Sequence, residues 1–159
     1  VGQYPVRAVQ YMQRIAGHIE QNENSIYYKE HAPLLQTQTF ISDSICYNAC
    51  VMARQAGVKA IASMTNSGYT AFKISSHRPK ANTFIFTDNH TLLTTLSLLW
   101  GVHGFYYDKY LSTDHTISEI KLFLRKQGLL APGDFVINIA STPIKERGRT
   151  NMMKLSQIV

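Results

Sequence analysis

Apolar positions repeat along the chain with two different periods, and their alternation predicts the order of helices and strands. In residues 5–20 the apolar side chains recur every three or four positions, which places them on one face of a helix. Pro5 fits the first turn of that helix, where its missing N–H removes no hydrogen bond. Residues 21–40 show no clear period and carry Asn, Ser, Pro, Gln and Thr, so a linker is expected there.

The rest of the chain alternates between helical and strand patterns. Further helices are predicted to begin at polar residues of the types that commonly cap helices: Ser42 or Asp43, Thr70, Asp88 or Asn89, and Thr113 or Asp114. Gly57 and Gly128 are expected to end the first and the last of them. Short apolar runs between these helices predict strands at residues 58–64, 83–87, 101–107, 134–140 and 152–159.

This order of elements predicts the fold class. Alternating strands and helices indicate a parallel sheet covered on both faces, because the helices supply the crossover connections. The fourth and fifth strands are joined only by residues 141–151, a connection that suits antiparallel pairing. We therefore expect a three-layer α/β/α sandwich with a five-stranded, mostly parallel sheet and one antiparallel edge strand.

Composition and charge narrow the class of protein. The 159 residues are 45% hydrophobic and 16% charged, as in an ordinary globular domain. The formal net charge of +6 favours anionic partners, but the basic residues are scattered, so we expect no nucleic-acid or membrane partner. Cys46 and Cys50 are interpreted as small apolar core residues, with a redox pair as the alternative. With so few cysteines and no signal-peptide pattern, a cytoplasmic location is expected.

One loop carries the first candidate chemistry, because ligands of open α/β sheets gather beyond the carboxyl ends of the strands. This first loop follows the first strand and opens a helix; it consists of Thr65, Asn66, Ser67, Gly68, Tyr69 and Thr70. Its hydroxyl groups, its amide and the N–H groups of a helix start would together form a cradle for a phosphate. The same residue types also build ordinary strand-to-helix turns, so on the residues alone both interpretations stay open.

A second loop, between the fourth and fifth strands, contains cations that would close over a phosphate. Its relevant residues are Lys145, Arg147, Gly148 and Arg149. A solvated hairpin tip is the alternative. The 6 histidines lack metal-like spacing, and no catalytic triad, P-loop or dinucleotide-binding glycine pattern occurs. We therefore expect no catalytic residue and no metal site in this chain.

Several segments resemble pyruvate kinases, in the same order along the chain. Residues 2–9, GQYPVRAV, resemble the family's G-x-YP-x-x-AV segment. Residues 60–87 resemble the core of its C-terminal domain: an apolar strand, T-x-SG-x-TA, then S-x-x-RP and a second strand. Residues 99–102, 133–134 and 148–152 resemble its later turn and its closing strands.

The resemblance implies a piece of an enzyme that transfers the phosphoryl group of phosphoenolpyruvate to ADP with Mg²⁺ or Mn²⁺, and often K⁺. Those sites would lie in a catalytic barrel. The resemblance divides the chain into residues 1–22, the last helix of that barrel, residues 23–40, a linker, and residues 41–159, the C-terminal α/β domain. That domain is expected to bind a phosphorylated effector and to contribute a contact of a homotetramer, and the fragment alone is expected to be inactive.

The resemblance also places the effector. Its phosphate would lie on residues 65–70, and the second loop, around Lys145 to Thr150, would close over it. Members that respond to fructose bisphosphate often have Lys where this chain has Asn66, and commonly an Arg where it has Thr116, although Lys109 is near in sequence. We therefore expect a sugar monophosphate or a nucleoside monophosphate such as AMP, or no effector at all. A stand-alone phosphate-binding module, a purely structural oligomerisation module and a thiol- or histidine-dependent hydrolase or transferase are the alternatives.

Overall fold

The computed structural model describes residues 2–21, 26–109, 111–144 and 149–159. Its helices and strands follow the predicted order: α1 Pro5–Glu20, α2 Phe40–Gln55, β1 Ala60–Met64, α3 Tyr69–Ser76, β2 Asn82–Thr87, α4 His90–Leu96, β3 Val102–Tyr106, α5 Thr113–Lys126, β4 Phe135–Ala140 and β5 Met152–Gln157.

The strands form one 5-stranded sheet in the order β3-β2-β1-β4-β5. β1 pairs in parallel with β2 and with β4, and β2 pairs in parallel with β3, whereas β5 is antiparallel to β4. The predicted α/β fold with one antiparallel edge strand is confirmed. The chain continues from β1 to β2 on one side and returns to β4 on the other. The space beyond the carboxyl ends of β1 and β4 is therefore the topological switch point of the sheet.

Each face of the sheet buries its own apolar cluster. Ile61 belongs to the cluster on the α2 side, together with Cys46 and Cys50. Phe86 belongs to the cluster on the opposite side, together with Leu124 of α5. A third cluster contains Leu92 and Leu96 of α4. Full burial of one such Ile, Leu or Phe side chain contributes about 1.5–3 kcal/mol, so these clusters hold α2 to α5 on the two faces of the sheet.

The two cysteines lie in this core as free thiols. Burial raises the pKa of Cys46 to about 12 and also raises the pKa of Cys50. A thiol acts as a nucleophile or redox group in its thiolate form, which burial disfavours here. The structure therefore agrees with the interpretation of both cysteines as small apolar core residues, and it gives no support to a redox pair or a cysteine nucleophile.

The start of α2 differs from the prediction. The helix begins at Phe40 with Thr39 at its N-cap position, so Asp43 lies inside the first turn instead of capping it. Asp43 is buried, with 7% of its surface exposed. A carboxylate in the first turn is favoured by the positive end of the helix dipole, which explains why an acidic residue fits there. The apolar Phe40 and Ile41 extend the helix on the N-terminal side of the expected cap.

The caps of the later helices agree more closely with the prediction. Asn89 caps α4 by accepting a hydrogen bond from the Leu92 N–H at 3.1 Å. α5 begins at Thr113, and Ser112 caps it by accepting from the His115 N–H at 3.3 Å. Each cap satisfies an N–H group that the helix itself leaves without an acceptor.

α1 presents its apolar stripe to solvent. None of its residues is buried against the described part of the chain. Val6, Val9, Met12 and Ile15 are 68%, 64%, 69% and 58% exposed, and an apolar patch of this kind marks a contact surface. The division at residues 22 and 40 stays a prediction. None of the described helices is both long enough and apolar enough to cross a membrane.

Gly68 and Gly128 provide a matched test of the turn between β1 and α3. Both have a left-handed backbone, with φ of +84° and +69°, but a Cβ on Gly68 would lie 2.7 Å from Leu92 Cδ1, whereas Gly128 has open space. We predict that Gly128→Ala lowers the free energy of unfolding by about 1–2 kcal/mol, the cost of a left-handed alanine. Gly68→Ala should lower it by a further ~1–3 kcal/mol because of the overlap. Urea denaturation measures both, and equal losses would contradict the packing argument.

Candidate phosphate-binding site

A cavity of about 340 Å³ lies at the switch point, beyond the carboxyl end of β1. The first loop contributes five residues to its lining: Thr65, Asn66, Ser67, Tyr69 and Thr70. Gly68 does not line the cavity, but its positive φ turns the chain into α3. Arg149 and Thr150, which follow β4 in the chain, add further polar groups to the lining. The cavity is at the lower end of the range of ligand pockets, roughly 300–1,000 Å³.

The first loop is braced by its own hydroxyl groups. The Gly68 N–H donates to Thr65 Oγ1 at 3.0 Å, and the Tyr69 N–H donates to Ser67 Oγ at 3.4 Å. Each hydroxyl oxygen acts as an acceptor in these bonds and keeps its own proton, which it can donate to another group. Two amides of the helix start are therefore occupied, and the hydroxyl groups of Thr65 and Ser67 are available as donors in their place.

Further N–H groups of the loop are available. Within the described ranges, no acceptor binds the backbone N–H of Asn66, Ser67 or Thr70. They lie where α3 begins, at the positive end of its dipole. The start of a helix with unpaired N–H groups is an ordinary place for an oxyanion, because donors and partial positive charge coincide there.

Thr70 and Thr150 connect the two loops. Their hydroxyl oxygens are 2.8 Å apart, and both residues are buried. The Thr150 carbonyl also accepts a hydrogen bond from Ser42 Oγ at 3.2 Å, which ties the second loop to α2. One proton of the Thr70–Thr150 pair is used between the two hydroxyl groups, so the other remains for a ligand.

Asp43 connects the aromatic wall of the cavity to α2. Its carboxylate accepts hydrogen bonds from Tyr69 Oη at 2.5 Å and from Thr39 Oγ1 at 3.1 Å, and it lies 3.3 Å from Lys73 Nζ. Burial by itself would raise the pKa of Asp43, but these hydrogen bonds and the charge of Lys73 together outweigh it and lower the pKa. Burial and the bond to Asp43 raise the pKa of Tyr69. Asp43 is therefore ionised at neutral pH, and Tyr69 is a neutral donor.

The second loop is described only in part. Three predicted effector-loop residues lie outside the described residues: Lys145, Arg147 and Gly148. Arg149 lines the cavity and donates one hydrogen bond to the Gln38 carbonyl. A guanidinium group has several N–H donors, so this bond leaves donors for an anion. Arg149 is the one cation among the described lining residues.

The position expected to serve a second phosphate offers no positive charge. Thr116 is completely buried in α5, and its hydroxyl group has no hydrogen-bond partner in the described part of the chain. Lys109 is exposed and is absent from the lining of the cavity. The described lining therefore combines one set of hydrogen-bond donors with one cation.

Sequence reasoning missed three residues around the cavity. Thr39 and Ser42 line it, and Asp43 holds Tyr69 beside it. For Ser42 and Asp43 the signal was the pattern of α2, where both stand on the buried side among apolar residues. Buried polar side chains need partners, and such positions therefore point to a polar site nearby.

The described residues do not offer a divalent metal site. No group of three or more His, Cys, Asp or Glu side chains is placed to hold a metal ion within the ranges that the structure covers. The Mg²⁺ or Mn²⁺ implied by the resemblance therefore finds no ligand set among these residues.

Known proteins resemble the chain in sequence. The family described as "Pyruvate kinase, alpha/beta domain" matches residues 43–156. A pyruvate kinase of Clostridium acetobutylicum is 33% identical over 159 residues, covering 99% of this chain and 33% of that protein. A pyruvate kinase of Geobacillus stearothermophilus is 34% identical over 162 residues, covering 99% of this chain and 27% of that protein. The chain thus spans a third or less of the length of these relatives.

A solved structure resembles the chain in fold. The crystal structure of a pyruvate kinase from Cryptosporidium parvum matches with a TM-score of 0.67 at 23% identity, over 75% of this chain and 23% of that one. At this level of identity the likeness establishes the α/β fold, and the assignment of the family depends on the match to residues 43–156.

The ionised Asp43 gives a prediction for the dependence of stability on pH. We expect Asp43→Asn to lower the free energy of unfolding by about 1–3 kcal/mol at neutral pH, because hydrogen bonds to a buried charge are lost or weakened. The folded-state pKa of Asp43 is depressed, so this contribution is fully present above the ordinary carboxyl pKa, about 4, declines below it, and is lost as the pH falls through the lower folded-state pKa.

Urea denaturation between about pH 7 and pH 3 measures this difference. Asp114→Asn is the control, because it removes a carboxylate that is 84% exposed in its pair with Lys154 and should change stability little. A loss for Asp43→Asn that stays constant down to pH 3 would show that the charge of Asp43 is not the source of its contribution.

Proposed function

Because the chain belongs to the pyruvate kinase family, we propose that it is the C-terminal regulatory and subunit-contact domain of such an enzyme. The match to the α/β domain over residues 43–156 supports this, as does the short span of the relatives that the chain covers. The whole enzyme transfers a phosphoryl group from phosphoenolpyruvate to ADP and yields pyruvate and ATP. The catalytic residues, with Mg²⁺ or Mn²⁺ and K⁺, are proposed to belong to a barrel of which residues 1–22 supply the last helix.

The cavity at the switch point is the main support for a regulatory role. Hydroxyl groups of Thr65 and Ser67, unpaired N–H groups of the first loop and the guanidinium of Arg149 surround one space of about 340 Å³. A phosphate has oxygens that accept several hydrogen bonds at once, and charge-assisted bonds of this kind are about twice as strong as neutral ones. The cavity therefore fits a small phosphorylated effector.

Charge favours an effector with a single phosphate. A phosphate monoester carries about −1.5 to −2 charges at neutral pH, so a bisphosphate brings about −3 to −4. Arg149 is the one cation in the described lining, and Asn66 and Thr116 are neutral. A second phosphate would find no compensating charge among these residues. A sugar monophosphate or AMP is the proposed effector.

The surfaces of the chain support the proposed partners. The exposed stripe of α1, Val6, Val9, Met12 and Ile15, is the proposed contact with the enzyme's own catalytic barrel, because burial there removes apolar surface from water. The α/β domain is proposed to contribute one contact of a homotetramer. The free, buried cysteines agree with the cytoplasmic location proposed for the enzyme.

A purely structural oligomerisation domain is the second candidate, and one observation favours it. The N–H groups of Gly68 and Tyr69 and the hydroxyl group of Thr70 already have partners within the protein. The first loop therefore keeps its shape without a ligand. In this alternative, the chain contributes subunit contacts and the cavity binds no phosphate.

We predict that the chain binds a monophosphate and that Arg149 contributes to this binding. Isothermal titration with ribose 5-phosphate, glucose 6-phosphate, AMP and fructose 1,6-bisphosphate should show that at least one monophosphate binds as tightly as the bisphosphate. Arg149→Met should raise its Kd by about 10- to 150-fold, since a hydrogen bond to a charged group contributes about 1.5–3 kcal/mol. Lys109→Met removes an exposed cation outside the cavity and should leave the Kd unchanged within about twofold.

Two outcomes of this titration would decide against the proposal. If none of the four compounds binds, the purely structural alternative is favoured. If the bisphosphate binds much more tightly than every monophosphate, and Lys109→Met weakens it, the second phosphate has a site that the described lining does not include.

We also predict that the 159-residue chain does not transfer phosphoryl groups. With phosphoenolpyruvate, ADP, Mg²⁺ and K⁺, a coupled assay of pyruvate formation should give the rate of the blank, because the proposal assigns the catalytic residues to the barrel. A full-length bacterial pyruvate kinase is the positive control. Turnover above the blank that increases with the concentration of the chain would refute this part of the proposal.

A further inference from the structure

A short segment before α2 is held against the domain by several contacts. This segment, residues 26–31, is called the strap. The ring of Tyr27 packs edge-on against Trp100, with 5.4 Å between the centroids, and the Tyr28 N–H donates to the Arg78 carbonyl at 3.0 Å. The strap therefore contacts the α3–β2 loop through Arg78 and the turn before β3 through Trp100.

The guanidinium of Arg54 in α2 contacts two residues of the strap, Tyr28 and Glu30. It lies 5.3 Å from the centroid of the Tyr28 ring and forms an ion pair with Glu30 at 3.0 Å. Glu30 is nearly enclosed, with 10% of its side chain exposed. A partly desolvated ion pair and a cation–π contact are stronger than the same contacts in water. The strap is therefore a docked element and not a free linker.

The docked strap contains backbone strain. Tyr28 and Arg78 both have positive φ, +62° and +52°, a region that bulky residues rarely occupy. These two residues are the ones joined by the hydrogen bond between the strap and the α3–β2 loop. Strain of this kind persists only while surrounding contacts hold it, so weakening those contacts favours an undocked strap.

A buried histidine supplies one of these contacts. His77, at the end of α3, is 1% exposed, and its Nδ1 accepts a hydrogen bond from the His31 N–H of the strap at 3.4 Å. An accepting Nδ1 carries no proton, so the ring is neutral in this arrangement. Its Nε2 is buried without a partner of good geometry among the described residues. The Tyr47 ring packs edge-on against the imidazole ring of His77.

The groups around His77 resist its protonation. Burial lowers its pKa most, and Lys73 of α3 and His31 of the strap lower it as well. The Lys29 backbone of the strap and Asp43 of α2 act in the opposite direction, but the net effect keeps the pKa below its usual value. A protonated His77 would be a buried cation next to Lys73, and Nδ1 would no longer accept the strap's hydrogen bond.

We propose that the strap is an acid-sensitive latch, in which neutral His77 keeps residues 26–31 docked and protonation of His77 releases them while the sheet remains folded. In the released state His77 meets water and regains its ordinary affinity for protons. The docked state is therefore stable above the ordinary histidine pKa, about 6.5, and is lost as the pH falls below it. Because the strap precedes α2, its release also changes how α1 is connected to the domain.

The chain contains its own reporter for this event. Trp100 is the single tryptophan, and it contacts both Tyr27 of the strap and the guanidinium of Arg78, 4.7 Å from its ring centroid. Fluorescence excited at about 295 nm, recorded from about pH 8 to pH 5, should show one transition with its midpoint below 6.5. Far-UV circular dichroism should stay constant, since this range lies above the ordinary carboxyl pKa, about 4.

Matched variants assign the transition to one histidine. His77→Gln keeps an acceptor for the His31 N–H but does not titrate, so the fluorescence transition should disappear. His31→Gln and His103→Gln each remove a different histidine, from the strap and from β3, and the transition should remain in both. Persistence of the transition in His77→Gln, or its loss in either control, would overturn the proposal.

Hydrogen exchange of the unmodified chain gives a second test that does not depend on the folding of a variant. After correction for the intrinsic effect of pH, peptides that cover residues 26–31 should lose protection at least about tenfold between pH 7.5 and pH 5.5, whereas peptides from β1 and β4 should not. Unchanged protection of the strap, or simultaneous loss in the strap and in the sheet, would contradict a local latch.

Discussion

The parallel pairing of β1 on both of its edges is the constraint on which the rest of the structure depends. β1 is hydrogen-bonded to β2 on one side and to β4 on the other, and its side chains are buried on both faces. The backbone of β1 is therefore hydrogen-bonded to its two neighbouring strands, and its side chains are packed in the core. Beyond Met64, the chain first offers polar groups that the sheet does not use. The position of the candidate site follows from this pairing, since the return of the chain to β4 leaves an opening at the same edge.

Asp43 shows how a charge can be kept inside such a domain. Its carboxylate has a tyrosine, a threonine and a lysine as partners, so the cost of its burial is offset by hydrogen bonds and by an opposite charge. This cluster also joins the start of α2 to the wall of the cavity through Tyr69. The shape of the cavity therefore depends on the packing of α2 as much as on the first loop.

Much of the fold follows from local patterns in the sequence, and the remainder depends on contacts between distant residues. The order of elements was predicted from apolar periods, and the antiparallel edge was predicted from the short connection before β5. The first loop could be identified from its residue types and its place after a buried strand. The docking of the strap could not be predicted, because Tyr27 meets Trp100 only after the sheet has formed. The role of Asp43 was missed for the same reason, since its partner Tyr69 lies 26 positions away in sequence.

The bond between Thr70 and Thr150 has a consequence for the order in which the molecule is completed. These two residues are 80 positions apart, and their hydroxyl groups join the two loops that enclose the cavity. On the ribosome, the residues of β1 and of the turn after it are synthesised well before Thr150. Thr150 is the last of the described lining residues to be synthesised, so the cavity can close only after the ribosome has passed that position.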